Sequence, residues 1–202
     1  MTIDEQTIGR TAEFHGHMCP GLAIGIRAAE IALAEIGPHA GDEEVVAIVE
    51  TDMCGVDAVQ YLTGCTFGKG NLIHRDYGKN VFTFLRRSDG RAVRISMRSG
   101  GFGPDDAERG ELRDRMSADT ATTEDRDRFW TLQQQRSELL LNRPVEELYD
   151  VREVDVALPP RARVLTSVIC ASCGEPTMET RVRRLAGGEL CQPCFDQRLA
   201  GR

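Results

Sequence analysis

Two CxxC motifs near the end of the printed sequence constrain this chain more than any other feature. The pairs Cys170/Cys173 and Cys191/Cys194 are separated by 17 residues, 174–190, a spacing typical of a four-thiolate zinc site. Each CxxC turn can deliver two sulfurs to one ion, so two turns supply four tetrahedral ligands. The alternative is surface thiol pairs or disulfides, but seven cysteines do not complete a disulfide framework. We therefore predict a structural Zn²⁺ on these four cysteines.

The start of the chain carries no targeting signal that we recognise. Residues 1–6 have neither the basic start nor the apolar core of a signal peptide. No apolar run approaches the length of a membrane span. Together with the odd cysteine count, this predicts a soluble cytoplasmic protein with no membrane partner.

Charge is distributed unevenly along the chain. Residues 1–160 carry a formal charge of −10, and residues 161–202 carry +3. Nucleic-acid binding needs clustered Lys and Arg, so a strongly acidic main segment argues against a nucleic-acid partner. The three arginines Arg181, Arg183 and Arg184 would balance four thiolates around one Zn²⁺.

Hydrophobic patterning predicts an α+β protein, a mixed helix and antiparallel-sheet core domain followed by a small zinc finger. A hydrophobic content of 41% suffices for a core in the larger part. The expected helices are 4–13, 21–36, 56–63, 105–116 and 124–141, and the expected strands are 45–49, 81–85, 92–97 and 151–156. Leu158-Pro159-Pro160 marks a boundary between domains 1–158 and 161–202.

A histidine and cysteine motif precedes the apolar helix 21–36. His15, His17 and Cys19 occupy alternate positions, so an extended backbone would point all three to one side. Pro20 suits the first helical position, and Cys19 would then lie at the positive end of the helix, where a thiolate is favoured. The spacing does not decide which histidine is a metal ligand.

A second motif follows the strand 45–49. Glu50, Asp52 and Cys54 again alternate, and Cys54 precedes a short helix. Mixed imidazole and thiolate ligation at two helix starts suits zinc or a similar borderline metal, with His15 or Asp52 as acid or base. The alternative is that free cysteines are small buried hydrophobes, and this alternative is favoured for Cys65, which no periodicity ties to the others.

Lysine is rare in this chain, and both lysines lie near glycines. Lys69 and Lys79 could present charge to an anionic ligand, with the glycines allowing close approach of the backbone. The alternative is that both are solvated loop residues. The segment 63–72 lacks the spacing of a phosphate-binding loop.

These motifs together resemble the FmdE family, which is named after the E subunit of formylmethanofuran dehydrogenase. The residues that carry the resemblance, which covers about 5–157, are Phe14-His15-Gly16-His17, Cys19-Pro20-Gly21, Glu50-Thr51-Asp52, Cys54, Asp57-Ala58-Val59-Gln60, Leu62-Thr63-Gly64-Cys65-Thr66, Gly68-Lys69-Gly70-Asn71-Leu72 and Asp76-Tyr77-Gly78-Lys79. The C-terminal segment resembles the treble-clef zinc module of some members, and also the finger of DksA/TraR-type regulators.

The resemblance implies an α+β core, a homodimer and a metal cleft that would fall on His17, Cys19 and Cys54. It also implies a place in one-carbon metabolism of the methanogenesis type. Reduction of carbon dioxide on methanofuran needs a molybdopterin or tungstopterin centre with iron–sulfur relays, and this sequence has no third cysteine group for such a cluster. An accessory role is therefore the expectation.

Three hypotheses follow. The first is a metal-binding accessory or substrate-handling component of an oxidoreductase system, with a second metal, expected to be Zn²⁺, in the cleft and a small-molecule ligand beside it. The second is a stand-alone zinc-dependent enzyme that uses the His/Cys cleft. The third is a metal or cofactor delivery protein whose finger docks a protein partner. Turnover by the purified protein separates the first two, and the third predicts transferable metal.

Overall fold

The buried helix expected from the sequence is present in a computed structural model of the chain, which describes residues 3–39, 41–101 and 107–201. Helix α2 spans Pro20–Glu35 and is buried on most sides. Pro20 starts it, since a proline lacks only an N–H that would be unpaired in a first turn. Cys19 caps it, because its Sγ accepts a hydrogen bond from the Leu22 N–H at 3.4 Å.

The other described helices of the larger unit precede or follow α2 along the chain. In chain order they are α1 (Glu5–His15), α3 (Gly55–Thr63), α4 (Ala107–Ser117), α5 (Thr123–Asn142) and the short α6 (Val145–Leu148). Helix α1 begins at the cap Asp4, and α5 begins with a capping box between Thr122 and Asp125. Both caps satisfy backbone N–H groups that a helix start leaves unpaired.

A five-stranded sheet forms the other layer of this unit. Its strands are β1 (Val45–Val49), β2 (Leu72–His74), β3 (Val81–Arg86), β4 (Ala92–Met97) and β5 (Tyr149–Glu153). They are ordered β2-β1-β3-β4-β5, with β1 and β2 parallel and the remaining pairs antiparallel. The predicted α+β class is confirmed.

The core lies on both faces of the sheet. One face packs with α2 and includes Phe82, Phe84 and Ile95. The other buries Val46 and Leu85. This two-sided burial explains why β1 reads as an uninterrupted apolar run.

Some element predictions were wrong at their edges. The last strand of the sheet is Tyr149–Glu153 rather than 151–156, because Tyr149 pairs with Met97 and is fully buried. Strand β2 was missed, since three residues give too short a pattern to recognise. The predicted helix over 105–116 is described only from Ala107, and residues 105–106 lie outside the described residues.

The second compact unit begins at residue 162, after a first unit of residues 1–161. It contains the hairpin β6 (Ser167–Ile169) with β7 (Pro176–Met178), the hairpin β8 (Val182–Leu185) with β9 (Gly188–Cys191), and helix α7 (Gln192–Ala200). A 3-10 turn, Glu179–Arg181, joins the hairpins. Cys170 and Cys173 lie in the turn of the first hairpin, Cys191 ends β9 and Cys194 lies in the first turn of α7. Two hairpins followed by a helix, with cysteines at these places, is the order of a treble-clef zinc finger.

Among the described residues, no helix combines the length and the apolar composition needed to traverse a lipid bilayer.

Candidate functional site

A tight turn in the larger unit brings together three side chains that could hold a metal ion. His15 ends α1, Gly16 follows in the left-handed region at φ 98°, and the chain then runs through His17 to Cys19 at the start of α2. The donor atoms of His15, His17 and Cys19 all lie within 4.8 Å of one another. The predicted extended backbone was wrong here. A helix end and a left-handed glycine, which has no Cβ to clash, produce the convergence instead.

His15 is oriented by a carboxylate from another helix. Its Nδ1 lies 2.7 Å from Asp57 Oδ2 on α3, and its Nε2 lies 3.9 Å from Cys19 Sγ. The His15 side chain is only 12% exposed. Metal-bound histidines commonly use one ring nitrogen for the metal and the other for a carboxylate. The sequence pattern indicated no role for Asp57, although this residue lies in the motif that carries the family resemblance.

Cys54 lies beside Cys19, outside the group of three donors. A Cβ placed on Gly21 would be 3.5 Å from Cys54 Sγ and 3.9 Å from Cys19 Sγ, so the two thiols flank this glycine. Burial, followed by the neighbouring Cys19 thiol, raises the pKa of Cys54. Burial disfavours the charged form of a thiol, and α3 begins without a side-chain cap at Cys54.

A backbone contact sets the spacing of these helix starts. Helix α2 crosses α3 at Gly25 and Gly55, and a Cβ on Gly25 would lie 2.1 Å from the Gly55 carbonyl oxygen. No side chain other than hydrogen fits at that distance. Cys19 on α2 and Cys54 on α3 are thereby held side by side.

The thiols and one histidine open into a cavity of about 640 Å³. The described residues that line it are His17, Cys19, Pro20, Gly21, Met53, Cys54, Asn80, Gly100, Arg109, Trp130, Gln133 and Arg136. The last four come from α4 and α5, where the sequence predicted only helices. The missed signal was the spacing of Trp130, Gln133 and Arg136, which recurs every three residues and marks one helix face.

Trp130 connects α5 to the metal-binding group. Its ring lies edge-on to His17, with centroids 5.8 Å apart. His17 in turn lies against His15, at 4.8 Å between ring centroids. One end of the cavity is therefore built from imidazole and thiol groups, and the facing wall from an indole, an amide and guanidinium groups.

The other predicted site residues lie elsewhere. Asp52 is exposed and lines a neighbouring depression with His15 and Asp57. Lys69 Nζ lies 3.5 Å from the Asp42 carbonyl oxygen, and exposed Lys79 lies 6.0 Å from the Tyr77 ring. Neither lysine is among the described residues that line the 640 Å³ cavity, and their predicted role in ligand binding stays a prediction.

Two further groups have structural partners. Cys65 is fully buried, and its Sγ donates to the Val45 carbonyl oxygen at 3.4 Å, as the core alternative proposed. Glu50 is 8% exposed and forms an ion pair with Arg94 at 3.0 Å. Glu50 therefore pairs with a side chain of the sheet. Of the alternating residues Glu50, Asp52 and Cys54, Cys54 is the one that lines the cavity.

The C-terminal unit brings its four cysteines together. The Sγ atoms of Cys170, Cys173, Cys191 and Cys194 all lie within 4.8 Å of one another. Backbone N–H groups, first that of Cys173 and then those of Cys191 and Ser172, lower the pKa of Cys170 to about 6. Such N–H groups stabilise a thiolate, which is the form that binds metal. This donor set fits a closed structural zinc site.

The cleft donors fit a different kind of metal site. Two imidazoles and one thiolate are ligands that suit zinc, copper or nickel rather than magnesium or calcium. Three protein ligands beside a cavity match the pattern of a site that keeps one position for a ligand. The partly buried His15–Asp57 pair is of the kind that supports metal ligands from outside the donor set.

Comparisons with known proteins identify the family of this chain. The family model described as "FmdE, Molybdenum formylmethanofuran dehydrogenase operon" matches residues 14–150. The crystal structure of an FmdE-like protein from Syntrophus aciditrophicus, named after the E subunit of a tungsten formylmethanofuran dehydrogenase, is similar over 96% of this chain and 92% of that one. The TM-score is 0.62 and the identity is 26%.

A relative from Archaeoglobus fulgidus, described as "Probable S-adenosyl-L-methionine-binding protein", is 34% identical over 192 residues. The match covers 92% of this chain and 51% of the relative, so the chain spans about half the length of that protein. The match to the family model covers the whole segment that contains the cleft donors and the cavity wall. The chain belongs to the FmdE family.

Proposed function

We propose that this FmdE-family protein binds a Zn²⁺-type metal ion on His15, His17 and Cys19 and handles a small molecule in the adjoining cavity. The observation that carries the proposal is the grouping of these three donor atoms within 4.8 Å at the mouth of a cavity of about 640 Å³. A structural Zn²⁺ on the four C-terminal cysteines is a second, separate part of the proposal.

Each group near the cleft has a role in this proposal. Asp57 accepts a hydrogen bond from His15 Nδ1, which leaves Nε2 as the metal-facing atom. The Leu22 N–H supports Cys19 Sγ. When bound, a metal of this type supplies Lewis acidity to the group at its open position. The cavity wall positions that group and excludes water.

Two ligand sets need to be separated by experiment. The family resemblance implied His17, Cys19 and Cys54, whereas the grouped donors are His15, His17 and Cys19. Elemental analysis of gently purified protein should give about two metal ions for the wild type and about one for Cys19→Ser. We expect His15→Ala to lose the cleft metal and Cys54→Ser to keep it. The reverse result would select the set with Cys54, and full metal content in Cys19→Ser would refute both sets.

Cys65→Ala is the matched control for thiol loss, since Cys65 is buried away from the donors. It should keep both metals. Cys173→Ser should lose the finger metal alone. If His15→Ala and Cys54→Ser each retain the wild-type content, the cleft is not a metal site.

We further propose that the chain acts as an accessory or substrate-handling protein of an oxidoreductase system. The family description and the name of the Syntrophus protein, which both refer to formylmethanofuran dehydrogenase, support this role. Purified protein should then bind ligand without turning it over. Turnover by the purified chain would favour the second candidate, a stand-alone zinc-dependent enzyme, which the open metal position supports.

A delivery role remains the third candidate. It predicts that the cleft metal moves to a competing chelator within minutes and that a partner is retained by the segment 161–202. We also propose that the chain forms a homodimer and is located in the cytoplasm. Light scattering of the purified chain tests whether it is a dimer.

A further inference from the structure

One face of α5 is built for a ligand rather than for packing. Its buried side chains, Phe129, Leu132 and Leu140, fill hydrophobic clusters. Trp130, Gln133 and Arg136, in contrast, line the cavity. A helix that only closed the cavity would be expected to present apolar side chains there.

The charge of this wall differs from that of the rest of the unit. Residues 1–160 carry a formal charge of −10. The described residues that line the cavity nevertheless include two arginines, Arg109 and Arg136, and no carboxylate. Each guanidinium carries five N–H donors in a planar fork that matches the geometry of a carboxylate or a phosphate. The wall is therefore suited to a negatively charged group.

Gln133 gives an independent indication of a missing partner. Its Oε1 atom is buried and has no hydrogen-bond partner among the described residues. Buried polar side-chain atoms in folded proteins are nearly always paired. Since the two atoms of a side-chain amide are assigned by their surroundings, either the oxygen or the NH₂ group of Gln133 is available to a polar ligand.

Trp130 supplies an apolar surface beside these polar groups. Its side chain is 45% exposed even though its edge meets His17 and Phe129. An indole that is half exposed at the wall of a cavity can cover the carbon skeleton of a ligand and shield its charged end from water.

We propose that the cavity binds a small organic oxyanion, one that carries a carboxylate or phosphate group. Arg136 and Arg109 bind the oxyanion, Gln133 adds a hydrogen bond, and Trp130 covers the carbon skeleton. This inference rests on the function proposed above, since it names the chemical class of the ligand handled at the metal cleft. Charge-assisted and bidentate hydrogen bonds from arginine provide the affinity.

The test uses the intact, metal-loaded chain and three probes in isothermal titration: malonate, inorganic phosphate and the neutral analogue malonamide. Malonate, phosphate or both should bind, and malonamide should not. Comparison of malonate with phosphate distinguishes a carboxylate ligand from a phosphate ligand. Arg136→Gln should weaken binding of the oxyanion at least about tenfold, and Arg136→Lys should weaken it less.

Arg126→Gln is the matched control. Arg126 lies on the same helix and forms an exposed ion pair with Asp119 at 3.5 Å, so its loss changes the net charge equally without altering the cavity wall. It should leave oxyanion affinity within about twofold, because exposed pairs contribute little. If Arg136→Gln does not fold, Arg109→Gln and the salt dependence of malonate binding to the wild type decide the question.

The outcomes separate this inference from the proposed metal site. Equal binding of malonate and malonamide, or equal oxyanion affinity in Arg136→Gln, Arg109→Gln and wild type, would overturn the inference. Metal content is measured in parallel on each variant. If the protein binds the oxyanion but contains no cleft metal, the arginine wall is supported and the metal site is refuted. If the protein contains the cleft metal but binds no oxyanion, the metal site is supported and the arginine wall is refuted.

Discussion

His15 Nδ1 lies 2.7 Å from Asp57 Oδ2, and this contact joins residues 42 positions apart. A carboxylate at that distance fixes the histidine ring and favours a proton on Nδ1. The lone pair of Nε2 then faces Cys19. This orientation of the imidazole suits the metal-ligand role proposed above.

Loss of the Asp57 carboxylate should weaken the cleft metal site without removing a ligand. We expect Asp57→Asn to lower metal affinity by about 10–100-fold, the usual effect of removing an outer-shell partner. Competition against a chromophoric zinc chelator measures it. Asp52→Asn is the control, since Asp52 is exposed and close in sequence. Equal affinity of both variants and wild type would show that His15 needs no orienting group.

The contact between Gly25 and Gly55 should not tolerate a methyl group. Gly25→Ala would place a Cβ 2.1 Å from a backbone oxygen, so α3 must move away. We expect a loss of about 1–3 kcal/mol in the free energy of unfolding, together with weaker metal binding, because α3 carries Asp57. Denaturant titration and the chelator assay measure the two effects.

Gly9→Ala is the control for Gly25→Ala, since it makes the same substitution in a helix where the added methyl group meets no neighbour. A Cβ on Gly9 in α1 would have nothing within 4 Å. It should stabilise the protein by about 0.5–1 kcal/mol, because alanine loses less conformational freedom in a helix. A destabilisation by Gly9→Ala as large as that by Gly25→Ala would show that the loss does not come from the helix contact.

Tyr149 should make the larger unit sensitive to alkaline pH. Its hydroxyl donates to the Ile24 carbonyl oxygen at 2.6 Å, and burial raises the pKa of the phenol. The folded state therefore keeps a proton that the unfolded chain releases above pH 10, the ordinary tyrosine pKa. The associated stability is complete below that pH and is lost as the pH rises further, at about 1.4 kcal/mol per pH unit.

Tyr149→Phe tests this dependence. The variant removes the hydrogen bond from the phenol to the Ile24 carbonyl oxygen, which lies inside α2, and should cost about 0.5–1.5 kcal/mol near neutral pH. Its stability should then fall less steeply than that of the wild type above pH 10. Parallel pH curves for the two proteins would show that Tyr149 does not contribute to alkaline unfolding.

The finger should depend on metal for its fold. Its buried cluster consists of Cys170, Leu190 and Cys191, so little apolar surface stabilises about forty residues without zinc. Chelation, or Cys173→Ser, should raise hydrogen exchange across residues 162–201 to that of an unfolded segment. Residues 3–158 should keep their protection. Loss of protection in β1 or β3 would contradict independent folding.

The sequence predicted those elements whose pattern is local. The expected strands 45–49, 81–85 and 92–97 are confirmed as β1, β3 and β4, because a short run of apolar and β-branched residues is a local signal. The grouping of the finger cysteines also follows from spacing alone. Each of these signals lies within a few dozen residues.

The remainder of the cleft depends on contacts that no local pattern contains. The pairing of His15 with Asp57 requires α1 to pack beside α3. The contribution of Trp130 and Arg136 requires α5 to lie over the thiols, and the charged surface of this helix concealed its cavity face. Alternation suggested the right convergence of His15, His17 and Cys19 for the wrong reason, because a left-handed turn replaces the extended backbone.

The separation of the cleft donors from the cavity wall along the chain has a consequence for synthesis. His15, His17 and Cys19 are made first, and Asp57, the last of the four, leaves the ribosome about seventy residues before Trp130, a delay of about 4–15 s at ordinary elongation rates. During that interval neither α5 nor β5 exists, and the nascent donors are open to the surrounding metal pool. A metal ion can then reach the proposed cleft site before the cavity closes, and we expect the order of translation to influence which ion that site receives.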